Sequence, residues 1–312
     1  MLRWAIIGAA ACVILAIAAV CILVMRPQTQ VPMVGLSQPD GKTQAYTVTP
    51  ADLGPAQTYS LEKYRQFLRD FVDERGLVDY GRLKRQRSHI KDLLKDLNQL
   101  SPNRYRNWPP NDQIAFWINA YNIQALKIIT DNYPIQGSRW LIPIYGQDSI
   151  RHIKGLKTEY KFLVMDEEFT LAEVEERIFR QQFQEPRVFL ALTTLSLSGP
   201  ALNKEPYYGP RLDDQLNDQA KRFLSDPKGL QIDREGRRLR LSALFQSTWH
   251  GEDFVRNYAI DRKFKAQPPY LRAVLNFVCP FMGPVDREFL EVENYSVEFT
   301  RFDWTLNDGS KQ

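Results

Sequence analysis

Between residues 111 and 134 the chain reads NDQIAFWINAYNIQALKIITDNYP. Ile114, Trp117, Ile118, Tyr121, Ala125, Ile128 and Ile129 recur at helical spacing, and Ala115, Phe116 and Leu126 carry apolar surface round much of the remaining circumference. The pattern predicts a helix over residues 111–130 that is enclosed on several sides. Asn111 is positioned to cap it, Asp112 suits the positive end of the helix dipole, and Asn132 with Pro134 supplies a stop. Asn119 and Asn122 sit three residues apart on the border of the apolar stripe. An unpaired amide is costly there, so each needs a definite partner: they tie neighbouring loops to the helix, or they line a site.

The same reading sets the other elements. Leu61, Tyr64, Phe67, Leu68 and Phe71 form one face of a helix over residues 60–72, capped by Ser60, and a second helix is expected over residues 80–97. Residues 135–158, with Pro143, Gly146 and Gly155, read as loop. Residues 161–164 read as a strand, and Thr170 followed three residues later by Glu173 is a capping box that opens a helix through Arg180. Residues 188–194 read as a buried strand ending in the tight SLSGP segment of residues 196–200. An amphipathic helix over residues 211–224, a hairpin in LQIDREGRRLRLS turning at residues 234–236, and a strand in YSVEFTRF complete the chain. This order implies an α+β fold, with helices around a small, mostly antiparallel sheet.

Ahead of the folded body lie two stretches of different character. Residues 4–25, WAIIGAAACVILAIAAVCILVM, are 22 residues without a charge, enough at about 1.5 Å per residue to span a hydrocarbon core of roughly 30 Å. The run is longer than a cleaved signal's apolar region and ends in Leu23, Val24 and Met25 rather than a small-x-small site, so residues 1–25 are expected to be an uncleaved transmembrane anchor. Val20 stands where a lipoprotein signal wants a small residue before Cys21. Arg3 and the amino terminus precede the run and Arg26 follows it, which favours a cytoplasmic N-terminus and an extracytoplasmic body, periplasmic in a Gram-negative cell. Residues 26–57 carry Pro27, Pro32, Pro39, Pro50 and Pro55 without periodicity, the composition of a tether, leaving residues 58–312 as a single soluble domain.

Composition adds limits. With 312 residues, 44% hydrophobic and 25% charged, the chain is ordinary globular material. A net charge of +4 argues against nucleic-acid binding. Arg82, Lys84, Arg85 and Arg87 form a local basic cluster, read as a solvated helix face, with lipid or polyanion contact as the alternative. Cys12 and Cys21 fall in the apolar run and Cys279 stands alone in the body, so no disulfide forms within the soluble part.

AFWINAYN at residues 115–122, SIRHIKG at 149–155, FTLAEVEERIFR at 169–180, EPRVFLALTTLSLSGPAL at 185–202, NKEPY at 203–207 and DWTLN at 303–307 resemble, in order and spacing, the family known as domain of unknown function 547. The resemblance covers about residues 60–307. In that pattern histidines stand at the positions of Glu176 and Phe189 and cysteines at those of Thr194 and Gly199. Such a set implies a thiolate nucleophile activated by an imidazole. Glycine offers no side chain and phenylalanine no base, so the resemblance implies a divergent member, a pseudoenzyme with respect to thiol chemistry.

Ser196 and Ser198 flank the turn and are the substitutes for a lost thiol, although serine also suits turns by bonding nearby backbone. A serine nucleophile needs a base, and the body offers His89, His152 and His250. Glu175, Glu176 and His152 have the ligand types of a metal site, but charged residues at helix positions are ordinarily solvated and no metal or other cofactor is expected. Asn119, Asn122, Glu175, Glu205 and Tyr207 are the binding candidates, with Trp249, Tyr207 and Tyr208 as an aromatic surface. The expectation is a membrane-anchored, non-catalytic binding or scaffolding module for a protein or small-molecule ligand; the alternative is a residual hydrolase or acyl-transfer enzyme using Ser196 or Ser198.

Overall fold

The computed structural model describes residues 57–259 and 263–311, so the expected anchor and all but the last residue of the expected tether lie outside the described residues. No helix among the described residues is long and apolar enough to cross a membrane. The described body mixes helices with small sheets around two hydrophobic cores.

The first helix, α1 (Gln57–Phe71), starts three residues ahead of the expected cap and buries Tyr64, Phe67, Leu68 and Phe71. The helix expected over residues 80–97 is split into α2 (Tyr80–Arg85), capped by the Asp79 carboxylate on the Arg82 N–H, and α3 (Ser88–Asn98). The Gln86 N–H closes the break on the carbonyls of Arg82 and Leu83. That break lets Leu83 and Ile90 enter the same core, while Lys84, Arg85 and Arg87 remain exposed.

A short helix, α4 (Pro102–Arg106), leads into the long central one, α5 (Pro110–Asn132). Asn111 does not cap α5. The cap position is Pro109, without a side-chain bond, and Pro110 occupies the first turn, where its missing N–H costs nothing and its fixed φ suits the helix. Trp117 is buried against Phe169, ring centroids 4.9 Å apart, with its indole N–H donated to the Tyr105 hydroxyl at 2.7 Å. Residues 135–158 are mostly loop, interrupted by the single turn α6 (Ile142–Tyr145) and a 3-10 turn, Ile150–His152.

The strands form two small sheets rather than one. β1 (Phe162–Val164) and β2 (Glu167–Phe169) pair antiparallel, Phe162 opposite Phe169. The capping box follows as predicted: Thr170 Oγ1 accepts the Glu173 N–H and the Glu173 carboxylate accepts the Thr170 N–H. One turn, α7 (Leu171–Glu173), then widens into a π-helix, Val174–Phe183. It closes with the Gln184 N–H on the Phe179 carbonyl five residues back, at 2.9 Å.

Residues 188–194 are not a strand. Pro186–Leu190 is a 3-10 helix whose start is capped by Glu185. A continuous apolar run does not by itself distinguish a buried strand from a buried helical turn; here Val188, Ala191 and Leu192 enter the first core while Leu190 enters the second and Phe189 packs against it. α8 (Leu212–Ser225) follows, preceded by a 3-10 turn, Gly209–Arg211. β3 (Leu230–Asp233) and β4 (Arg238–Leu241) make the expected antiparallel hairpin, and after α9 (Ser247–Tyr258), α10 (Pro269–Val278) and α11 (Pro284–Glu291), β5 (Ser296–Phe299) adds to β4 in parallel, Leu239 opposite Val297.

The DWTLN segment, with Asp308 after it, works as a strap. Thr305 bridges Ser149, Leu306 bridges Ser196, and Asp308 bridges Val78. Asn307 adds a side-chain bond, accepting the Tyr80 hydroxyl at 2.9 Å.

Candidate functional site

The SLSGP turn closes with the Gly199 N–H on the Ser196 carbonyl at 3.1 Å. Leu195 ahead of it holds φ at +60°, a left-handed conformation uncommon for a branched residue, stabilised by Thr193 Oγ1 accepting the Leu195 N–H at 3.1 Å. Ser196 is buried with its hydroxyl 2.9 Å from Thr194 Oγ1. Ser198 Oγ accepts the Asp303 N–H of the strap at 2.8 Å. Both hydroxyls thus serve the turn and its cover.

The structure gives neither serine a bond to an imidazole among the described residues. His152 turns towards the neighbouring loop, its Nε2 2.7 Å from the Gly146 carbonyl and its ring 5.7 Å from Tyr145; its Nδ1 is buried without a partner. His89 is exposed and packs its ring edge on Phe71. The side chains of His250 and Trp249 lie outside the described residues.

Beside Thr194 is a small pocket of about 60 Å³ walled by Tyr121, Lys157, Glu175, Phe189 and Thr194. Glu175 Oε1 accepts the Tyr121 hydroxyl at 2.6 Å and Lys157 Nζ at 2.7 Å. Burial first, and the Glu175 carboxylate second, push the Tyr121 hydroxyl well above its ordinary pKa, so it acts as a donor and not as a base. Glu176 projects elsewhere, to Arg180 and Gln181. Phe189 stacks edge-on against Phe245 and Phe254 at 5.8 and 5.6 Å. Among the described residues no group of His, Cys, Asp and Glu could hold a metal ion.

Asn119 and Asn122 each read a stretch of irregular backbone. Asn119 donates to the Tyr207 carbonyl at 2.8 Å and accepts the Tyr207 N–H at 2.9 Å; Asn122 donates to the Ala191 carbonyl at 3.0 Å and accepts the Thr193 N–H at 2.8 Å. Gln215 of α8 treats the next residues in the same way, accepting the Tyr208 N–H and donating to the Pro206 carbonyl, both at 2.8 Å. Buried backbone without regular partners is thereby satisfied. Glu205 is on the other side of that loop, paired with the buried Arg65 at 2.8 Å and with Arg69 at 3.1 Å.

The pinned loop closes a much larger cavity, about 230 Å³, between α1, α3 and α5. Its walls are mainly apolar: Leu61, Leu93, Leu97, Trp108, Phe116 and Ile123. Tyr64 and Tyr207 also line it. Both phenols are pushed far above their ordinary range by burial, and the Tyr207 hydroxyl is buried with no hydrogen-bonding partner. Gly209 permits the closure, because a Cβ there would lie 2.2 Å from Asp112 Oδ1 and 2.7 Å from the Asp112 amide nitrogen. Of the sequence candidates, Asn119, Tyr207 and Tyr208 meet at this cavity, Glu175 is at the smaller pocket, and Ser196 and Ser198 form the turn. Sequence reasoning missed Phe116, Trp108 and Leu61 as cavity walls. The available signal was that Phe116 departs from the strict helical stripe, which marks a second apolar face with something to cover.

Residues 105–224 match the family described as a protein of unknown function, DUF547. No curated protein and no solved structure matches the chain.

Proposed function

The chain belongs to the DUF547 family through residues 105–224, and the family's description names no activity; from its own geometry we propose that it is a non-catalytic binding module, anchored in a membrane by residues 4–25. In this reading the body is extracytoplasmic and its ligand site is the cavity between α1, α3 and α5. The observation that carries the proposal is the size and lining of that cavity, about 230 Å³ with largely apolar walls. An apolar protein cavity of about 150 Å³ accommodates benzene, so this one suits a fused-ring aromatic or a short acyl group. Tyr207 contributes to the wall, while its hydroxyl is buried out of solvent contact. The Asn119 amide is spent on backbone and contributes by holding the loop. The smaller pocket at Thr194 is filled on one side by Phe189 and has about 60 Å³ left.

The test uses the full chain in lipid nanodiscs, with 1-naphthol, indole and octanoate as probes and thermal unfolding as readout. At least one probe is expected to raise the Tm of the wild type and of Ser196→Ala, and to lose that effect when Leu100, which also lines the cavity, is replaced in Leu100→Trp and the new indole occupies the space. Absence of any shift at millimolar probe would overturn the site. Ester or amide turnover abolished by Ser196→Ala or Ser198→Ala would instead establish the serine-enzyme alternative.

A further inference from the structure

Residues 138–146 read SRWLIPIYG, and this loop carries its large side chains outward. Trp140 is 86% exposed, Ile144 62% and Leu141 36%. The other large apolar side chains exposed among the described residues, Leu163, Tyr270, Val285 and Val292, are scattered along the chain. Single exposed apolar residues need no explanation, but a contiguous cluster marks an interaction surface.

The loop is held in shape from below. The Ser138 carbonyl accepts the N–H groups of Leu141 and Ile142 at 2.8 and 3.0 Å, and the Gly146 N–H closes α6 on the Ile142 carbonyl at 2.8 Å. His152 grips the Gly146 carbonyl, and the Arg151 guanidinium lies 4.0 Å over the Tyr145 ring. The backbone is thus satisfied by its own neighbours while the tip presents an indole and two aliphatic chains to water. Arg139 within the loop and Arg151 over Tyr145 are exposed, and residues 138–146 contain no acidic residue.

Indole next to aliphatic side chains, flanked by guanidinium groups, is the composition of a lipid-water interface: the ring rests at headgroup depth, the aliphatics reach the acyl boundary, and the cations meet phosphates. The apolar run at residues 4–25 brings a bilayer within range. Whatever their conformation, residues 26–56 cannot separate the body from that bilayer by more than about 3.5 Å per residue, roughly 110 Å. A surface confined to such a radius sees the membrane at a local concentration on the order of a millimolar, so a small patch suffices to hold it. We propose that residues 138–146 are a bilayer-docking loop that inserts Trp140, Leu141 and Ile144 into anionic lipid and so orients the body on the membrane. This rests on the anchored reading of residues 4–25.

The experiment uses the full chain in nanodiscs of zwitterionic or anionic lipid, with plain or brominated acyl chains. Subtracting the emission of Trp140→Phe from that of the wild type isolates Trp140, and co-elution with the discs reads the anchor separately. The Trp140 emission is expected to be blue-shifted and to fall by at least half with brominated lipid, more in anionic discs. Ile144→Ser, which keeps the reporter, is expected to weaken that quenching. Co-elution with a water-like, unquenched Trp140 overturns the docking loop, assigns the patch to a protein partner, and leaves the anchor standing. Failure to co-elute overturns the anchor instead; liposomes of the same lipids then test the loop directly, and absence of quenching there overturns it as well.

Discussion

Gly199 and Thr194 share one volume: a Cβ on residue 199 would lie 1.6 Å from Thr194 Oγ1 and 3.0 Å from Thr194 Cβ. Thr194 cannot rotate away freely, because its hydroxyl is 2.9 Å from Ser196 Oγ. The two positions that the resemblance aligns with cysteines are thus coupled here: with Thr194 in this orientation, residue 199 has no room for a Cβ. Gly199→Ala is expected to cost about 1–3 kcal/mol as an overpacking change, and Thr194→Ala in the same chain to recover much of that loss. Urea unfolding of the single and double variants measures the coupling; additivity within about 0.5 kcal/mol would show that the two sites are independent.

Asn119 carries the Tyr207 backbone on both of its amide atoms. Asn119→Ala leaves a buried N–H and a buried carbonyl unpaired, a loss of about 2–6 kcal/mol from two groups at about 1–3 each. Gln66→Ala, which removes an exposed bond to Asp70, is the control and is expected to stay within about 0.5 kcal/mol. Equal losses in the two variants would show that the loop finds other partners.

Tyr207→Phe has the opposite sign. It removes a buried hydroxyl with no partner and keeps the ring, so the ligand-free protein is expected to be unchanged or stabilised by up to about 1 kcal/mol. Urea unfolding of the variant beside the wild type measures the change; a large loss of stability on Tyr207→Phe would reveal a partner for the hydroxyl.

Cys279 is buried, with Sγ 3.8 Å from Glu291 Oε1. Burial, and then the Glu291 carboxylate, push its thiol above the ordinary range. Because the folded pKa is the higher one, the unfolded thiol ionises first. Its contribution to stability is full below the unfolded value of about 8.5 and is lost as pH rises through the folded value. Stability should therefore fall more steeply above about pH 8.5 in the wild type than in Cys279→Ala. Alkylation at pH 8 should be slow in the native protein and fast in urea, and rapid native alkylation would refute the packed-thiol reading.

The central helix, the capping box at Thr170 and Glu173, and the hairpin at residues 230–241 were legible in the chain because each depends on neighbours within a turn or two. So was the requirement that Asn119 and Asn122 have partners, since an amide beside an apolar stripe leaves no alternative. Which backbone they hold was not legible: the Tyr207 and Ala191 groups lie 88 and 69 positions away. The strand expected at residues 188–194 became a 3-10 turn because VFLAL faces two cores at once, and an all-apolar run has the same pattern in either conformation. The π-winding of Val174–Phe183 has no signature in local propensity. The cavity was invisible for a different reason: it is the space left where α1, α3, α5 and the Tyr207 loop fail to meet, set by four segments that only the fold brings together. Thr194 and Gly199, five residues apart in the chain, show the division most plainly. That one lacks a side chain and the other has a branched one is read directly from the chain, but only the turn between them brings the Thr194 hydroxyl into the space a Cβ on residue 199 would take.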